Sequence, residues 1–245
     1  MEQIEKIIYS RCSAVNHKKA IELYGQLWNT LTSNVTFRNV GYGPSTMLVN
    51  RVFTTNYDLG VEAFLKRKRL RFADGFEVDE VGDAVFTGRW VNADMAFCKL
   101  HGSINYFGRE DGQIVRSDAI LESADAYRRE IRGRIMIYPT GEKYATRRPF
   151  YEVLGQLRSA LANQAERVCI VIGYSFRDAA VNNAFVDGIT LNPKVKILWI
   201  TPHSHLSTKN LEPLLQGRIV ALNGEFGNQM LPQSITEAIR LSIDA

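Results

Sequence analysis

Two short stretches end apolar runs in groups able to do chemistry. In Arg51-Val-Phe-Thr-Thr-Asn-Tyr-Asp58 a β-branched and aromatic run stops at Asn56 and Asp58, and in Phe97-Cys-Lys-Leu-His-Gly-Ser103 another stops at His101 and Gly102. An amide and a carboxylate are costly inside a buried strand. They are therefore expected at its carboxyl edge, where open α/β sheets bind ligands. A third run, Val168-Cys-Ile-Val-Ile-Gly-Tyr-Ser-Phe-Arg-Asp178, reads as strand, glycine turn and helix, with Gly173 and Ser175 at the strand end and Asp178 as N-cap. An imidazole can exchange a proton, and glycine admits close backbone approach to a ligand. Each group also has a plain structural use. Asn56 and Asp58 suit a turn that caps the next helix, His101 a satisfied structural hydrogen bond, and Gly173 any strand-to-helix turn.

The elements that must position these groups follow from periodicity. Residues 1 to about 31 read as helical, with Ala20, Ile21, Tyr24, Leu27, Trp28 and Leu31 at three- and four-residue spacing. A loop rich in Ser, Asn and Gly leads to the Arg51–Thr55 strand. A helix follows Asp58, ending in the basic run Lys66-Arg-Lys-Arg69, which reads as a solvated helix end. Residues 72–96 suggest a small hairpin, residues 104–132 a polar, glycine-interrupted segment, and Arg134–Pro139 a short strand. Pro149 opens a helix. Strands are expected at Arg167–Ile172, Lys194–Ile200 and Arg218–Leu222, with helices at Asp178–Asp187 and Ser207–Leu215, and the capping box Ser234-Ile-Thr-Glu237 begins a last one. Strands alternating with helices predict an α/β, Rossmann-like fold: a mostly parallel sheet flanked by helices, with a small inserted hairpin region.

A chain of 245 residues, 45% hydrophobic, suits one large α/β domain. The formal net charge of +4 does not imply a polyanion partner, so direct nucleic-acid binding is not expected. Cys12, Cys98 and Cys169 are widely spaced, and the latter two lie in apolar runs where cysteine acts as a small hydrophobe. No membrane helix and no secretory pattern are read, so a cytoplasmic protein is expected. His203 and His205 form a His-x-His pair without an acidic or thiol neighbour, and read as surface loop rather than metal site.

The order TxNxD, HG and glycine-serine strand end resembles the sirtuin-like NAD-binding domain, closest to the prokaryotic sirtuin-like NAD hydrolases. The resemblance implies that NAD is the substrate and that no metal is needed. It makes Asn56 the residue orienting nucleophile and ribose, and His101 the base at the ribose hydroxyls. Thr55, Asp58, Gly102, Gly173 and Ser175 would shape the cofactor site, with Thr201, Gly224 and Phe226 at the adenosine half. The absence of paired Cys-x-x-Cys argues against the zinc module of sirtuin deacetylases. It implies NAD hydrolysis to nicotinamide and ADP-ribose, as an effector in bacterial antiviral defence under a sensor, regulatory protein or fused domain, with a homo-oligomer possible. Protein ADP-ribosyl transfer and a non-catalytic NAD-sensing or scaffold module are the alternatives. The similarity covers residues 45–230 of a single 1–245 domain, with 1–45 an atypical helical and loop lead-in. The family's Gly-Ala-Gly-x-Ser phosphate loop, with the first βα unit, has no counterpart before TxNxD. Truncation, a partner's contacts and a degenerate relative are the competing explanations, and if NAD binds, Tyr42-Gly-Pro-Ser45 and nearby main chain are the local candidates for part of that job.

Overall fold

A computed structural model of the chain describes residues 2–33, 49–117, 131–137, 147–166, 168–201 and 218–224. Tyr42–Ser45, the His203/His205 loop, the Ser207–Leu215 helix, Phe226 and the Ser234 capping box lie outside them. The chain divides into two compact units, Met1–Glu22 with Val49–Val153, and Leu23–Leu48 with Leu154–Ala245.

The amino-terminal stretch forms two helices rather than one, α1 (Glu2–Ser13) and α2 (His17–Ser33). Asn16 separates them and begins the second, its side-chain oxygen accepting from Lys19 N at 3.0 Å. This is the N-cap use of a short polar side chain, which satisfies a donor that the helix leaves unpaired.

In the first unit, β1 (Arg51–Thr54) and β2 (Phe72–Ala73) flank β5 (Met95–Lys99) in a parallel three-stranded sheet. Met95, Phe97, Cys98 and Lys99 are each at most 2% exposed, so β5 is buried on both faces and reads as a continuous run. Helix α3 (Gly60–Arg67) follows β1 and buries Val61, Phe64 and Leu65, while Lys66, Arg67, Lys68 and Arg69 are exposed at its carboxyl end, where cations suit the helix dipole. The expected hairpin is present as β3 (Phe76–Val78) and β4 (Ala84–Phe86), but it belongs to a larger antiparallel sheet. That sheet has the order β3-β4-β7-β6-β8, adding β6 (Gly102–Arg109), β7 (Ile114–Arg116) and β8 (Ile131–Met136). The segment after Ser103 therefore starts as a buried strand. Its polar members find partners within the fold, as where Asn105 Nδ2 donates to Ser117 O at 2.8 Å, although Asn105 Oδ1 is buried without a hydrogen-bond partner. Arg134 of β8 ties α1 to this sheet: its guanidinium lies 4.3 Å from the Tyr9 ring centre and donates to Glu5 at 3.1 Å.

In the second unit, β9 (Val168–Ile172), β10 (Lys196–Thr201) and β11 (Ile219–Asn223) form a parallel sheet with β10 central. Ile197, Leu198, Trp199 and Ile200 are at most 2% exposed. Helices α4 (Phe150–Ala162) and α5 (Ala179–Leu191) pack closely because Gly188 has no side chain: a Cβ there would lie 2.6 Å from Leu161 Cβ and 2.9 Å from Arg158 O. Gly188→Ala is expected to destabilise by about 1–3 kcal/mol through overpacking, measured by denaturant unfolding.

Candidate active site

Parallel pairing of β1 with β5 brings two motifs to one sheet edge. Thr54 aligns with Lys99, so Thr55-Asn56-Tyr57-Asp58 and Leu100-His101-Gly102 leave the sheet side by side at its carboxyl end. Leu100 N donates to Thr54 O at 2.8 Å, carrying the ladder one step beyond the strands. Asn56 is exposed, while Thr55, Asp58 and His101 are half-buried. The Tyr57 and His101 rings face each other at 6.3 Å, tilted by 37°.

The turn around Asn56 is held by the segment carrying His101. Tyr57 O accepts from Ile104 N at 3.1 Å, Ser103 Oγ at 3.2 Å and Lys99 Nζ at 3.3 Å. Lys99 Nζ also donates to Asp58 O and, at 2.9 Å, to Glu62 Oε1. The lysine side chain is 0% exposed and that of Glu62 15%, so this is a buried ion pair. Removing one partner would leave an uncompensated charge, a change costing about 3–5 kcal/mol. Asp58 does what the turn reading expects: its Oδ1 accepts from Gly60 N at 2.8 Å at the start of α3.

The other side of the His101 turn is β8. Ile137 N donates to His101 O at 2.8 Å, and the Tyr57 hydroxyl donates to Ile137 O. Gly102 has φ +80, and a Cβ on it would overlap Ile135 O and come within 3.1 Å of Met136 Cα. The glycine after the histidine thus exists for the close approach of β8.

Burial and the Asp58 carboxylate push the half-buried Cys12 thiol up, while Lys99 pulls it down. Burial drives the Cys98 thiol well above its usual range. The thiolate is the reactive form of cysteine, so burial disfavours reaction at both thiols. A maleimide is expected to label Cys98 only after unfolding, as peptide mass spectrometry would show. Among the described residues no group of three or more His, Cys, Asp or Glu could hold a metal ion, and no helix is long and apolar enough to cross a membrane.

The second unit gathers the remaining described candidates. Gly173, Thr201 and Gly224 follow β9, end β10 and follow β11 at one carboxyl edge. Gly173 N donates to Ile200 O at 3.0 Å and Gly224 N to Thr201 O at 3.1 Å. Gly173 (φ +66) and Phe176 (φ +53) are both left-handed, folding a tight turn around Ser175. Phe176 tolerates this conformation because its ring is packed 5.4 Å from Trp199 and 5.6 Å from Phe185, and its carbonyl accepts from Asn182 Nδ2 at 2.8 Å. Asp178 caps α5 as expected, accepting from Val181 N at 3.0 Å. Trp199 Nε1 donates to Tyr174 O at 2.9 Å, closing the turn onto β10.

Sequence reasoning passed over Lys99, Ser103 and Tyr57. The signal for the first was present: a lysine inside Phe97-Cys-Lys-Leu100 must find a partner if that run is buried.

Parallel strands whose polar turns meet at a carboxyl edge, with flanking helices, define a Rossmann-like α/β protein. The chain belongs to the SIR2-like domain family, which matches residues 50–220. Membership fits an NAD-related function. No curated protein matches the chain.

Proposed function

We propose that this chain cleaves the bond between nicotinamide and ribose in NAD, giving nicotinamide and ADP-ribose. The observation that carries this reading is the shared edge of Asn56 and His101, two groups suited to the reaction, held in one hydrogen-bonded frame within a SIR2-like domain. The departing pyridinium becomes neutral as it leaves and needs no acid. What remains is to fix the ribose, position a water and accept a proton. Asn56, exposed at the turn, orients ribose and water. His101 interacts with the sugar hydroxyls and accepts the proton. Thr55, Asp58 and Gly102 shape this end. Gly173 and Ser175 offer backbone and hydroxyl to the cofactor's ribose and phosphates, with Thr201 and Phe226 assigned to the adenosine half. Such an enzyme, cytoplasmic and held by a sensor or regulatory domain, would act as an antiviral effector.

The test is nicotinamide release from NAD by the parent, His101→Ala and Asn56→Ala, with folding checked by circular dichroism. Release confined to the parent supports the hydrolase. A folded parent that neither releases nicotinamide nor binds NAD overturns it, leaving a scaffold role. Labelled NAD separates the remaining alternative, since transfer of ADP-ribose to a protein acceptor would leave label on protein.

A further inference from the structure

We infer that Lys99 is a positioning residue that sets the placement of Asn56 relative to His101, an inference that rests on the nicotinamide-releasing reading of this site. Asn56 stands between two anchored carbonyls. On one side Thr54 O accepts from Leu100 N at 2.8 Å, and on the other Tyr57 O accepts from Ile104 N at 3.1 Å. Both backbone donors belong to the segment that carries His101, so the two candidate groups ride on one frame. Backbone bonds fix the height of the turn at Tyr57, and the Asp58 side chain, accepting from Gly60 N at 2.8 Å, ties it locally to the start of α3, but neither joins β5 to the helix. Lys99 supplies that tie: its Nζ reaches Tyr57 O at 3.3 Å, the next carbonyl at Asp58, and Glu62 Oε1 at 2.9 Å on the helix.

A purely stabilising ion pair would not need this position. Lys99 is the last residue of β5, its side chain is 0% exposed, and two of its acceptors are main-chain oxygens of the turn that presents Asn56. An ammonium carries three donors and no acceptor, and here one acceptor answers each donor. The Glu62 carboxylate meets the lysine through Oε1, while its Oε2 is buried without a hydrogen-bond partner. The lysine touches no reacting atom in this scheme. It acts through the Tyr57–Asp58 backbone.

The test compares the full chain with Lys99→Met/Glu62→Leu and Glu62→Gln. The double substitution removes tether and carboxylate together, so no unpaired buried charge remains to unfold the protein. Expected is a kcat for nicotinamide release lower by about 100-fold, the cost of misplacing a catalytic group by about 1 Å, while KM for NAD stays within about threefold and circular dichroism is unchanged. Glu62→Gln keeps an acceptor for Nζ but leaves the buried ammonium without its counter-charge, so its unfolding midpoint is expected to fall, while kcat measured below that midpoint stays within about tenfold of the parent. Hydrogen exchange of the peptide over Thr55–Gly60 is expected to quicken in the double variant alone. A folded double variant with parental kcat would overturn the inference. So would exchange over Thr55–Gly60 that matches the parent. Should the parent itself release no nicotinamide, the hydrolase reading falls, and the exchange measurement alone decides the tether.

Discussion

His101→Ala is expected to lower nicotinamide release by about 10²–10⁴-fold, the contribution typical of a positioned general base. The loss should appear in kcat, because the imidazole is asked to act on a proton and not to bind the dinucleotide. A rise in KM at constant kcat would instead mark a contact that is equal in ground and transition states. The fold should survive. His101 is half-buried, and its tie to β8 runs through its own carbonyl, which accepts from Ile137 N at 2.8 Å and remains in alanine. Thermal unfolding near the parental midpoint, together with the lost release, is therefore the expected pair of results. Asn56→Ala makes a cleaner companion, since Asn56 is exposed and its backbone N–H, which donates to Thr54 Oγ1 at 3.1 Å, is untouched. Parental rates in both variants would remove the carboxyl edge of β1 and β5 from the chemistry.

Gly102→Ala is expected to be more damaging to the fold than any other single-methyl change at the candidate site. Two costs coincide. A left-handed backbone at φ +80 costs a residue with a Cβ about 1–2 kcal/mol. The added atom must also displace the main chain of β8 at Ile135 and Met136 rather than a flexible side chain, an overpacking of about 1–3 kcal/mol. At about 2–4 °C per kcal/mol for a chain of this length, the midpoint should fall visibly. Because the same β8 backbone accepts from the Tyr57 hydroxyl and donates to His101 O, release should fall with it. Gly173→Ala is the control. It shares the left-handed conformation, φ +66, but has nothing within 4 Å of the added Cβ, so only the conformational penalty of about 1–2 kcal/mol is expected. Equal midpoints for the two alanine variants would show that β8 does not press on the His101 turn.

Much of this arrangement is legible in the residues because it is local. The apolar runs before Asn56, His101 and Gly173 locate strand ends, since a strand buried on both faces tolerates few polar side chains and its edge collects them. Asp178 announces a helix start, and the basic run from Lys66 announces an exposed helix end. Those readings use only neighbours in the chain. The break between α1 and α2 was missed because a continuous helical period does not reveal that Asn16 serves as a cap. The strand beginning at Gly102 was missed because Ser103 and Asn105 look solvated until the fold buries them and supplies acceptors from elsewhere in the chain, Tyr57 O for one and Ser117 O for the other. What the sequence determined by itself was which residue types stand at the strand ends, and therefore which chemistry is available. Only the tertiary structure decided why Gly102 must be glycine and why Lys99 can be buried. The reason is physical: one depends on the backbone of β8 and the other on carbonyls and a carboxylate of the β1–α3 turn, all brought near by pairings across long stretches of chain that no local pattern encodes.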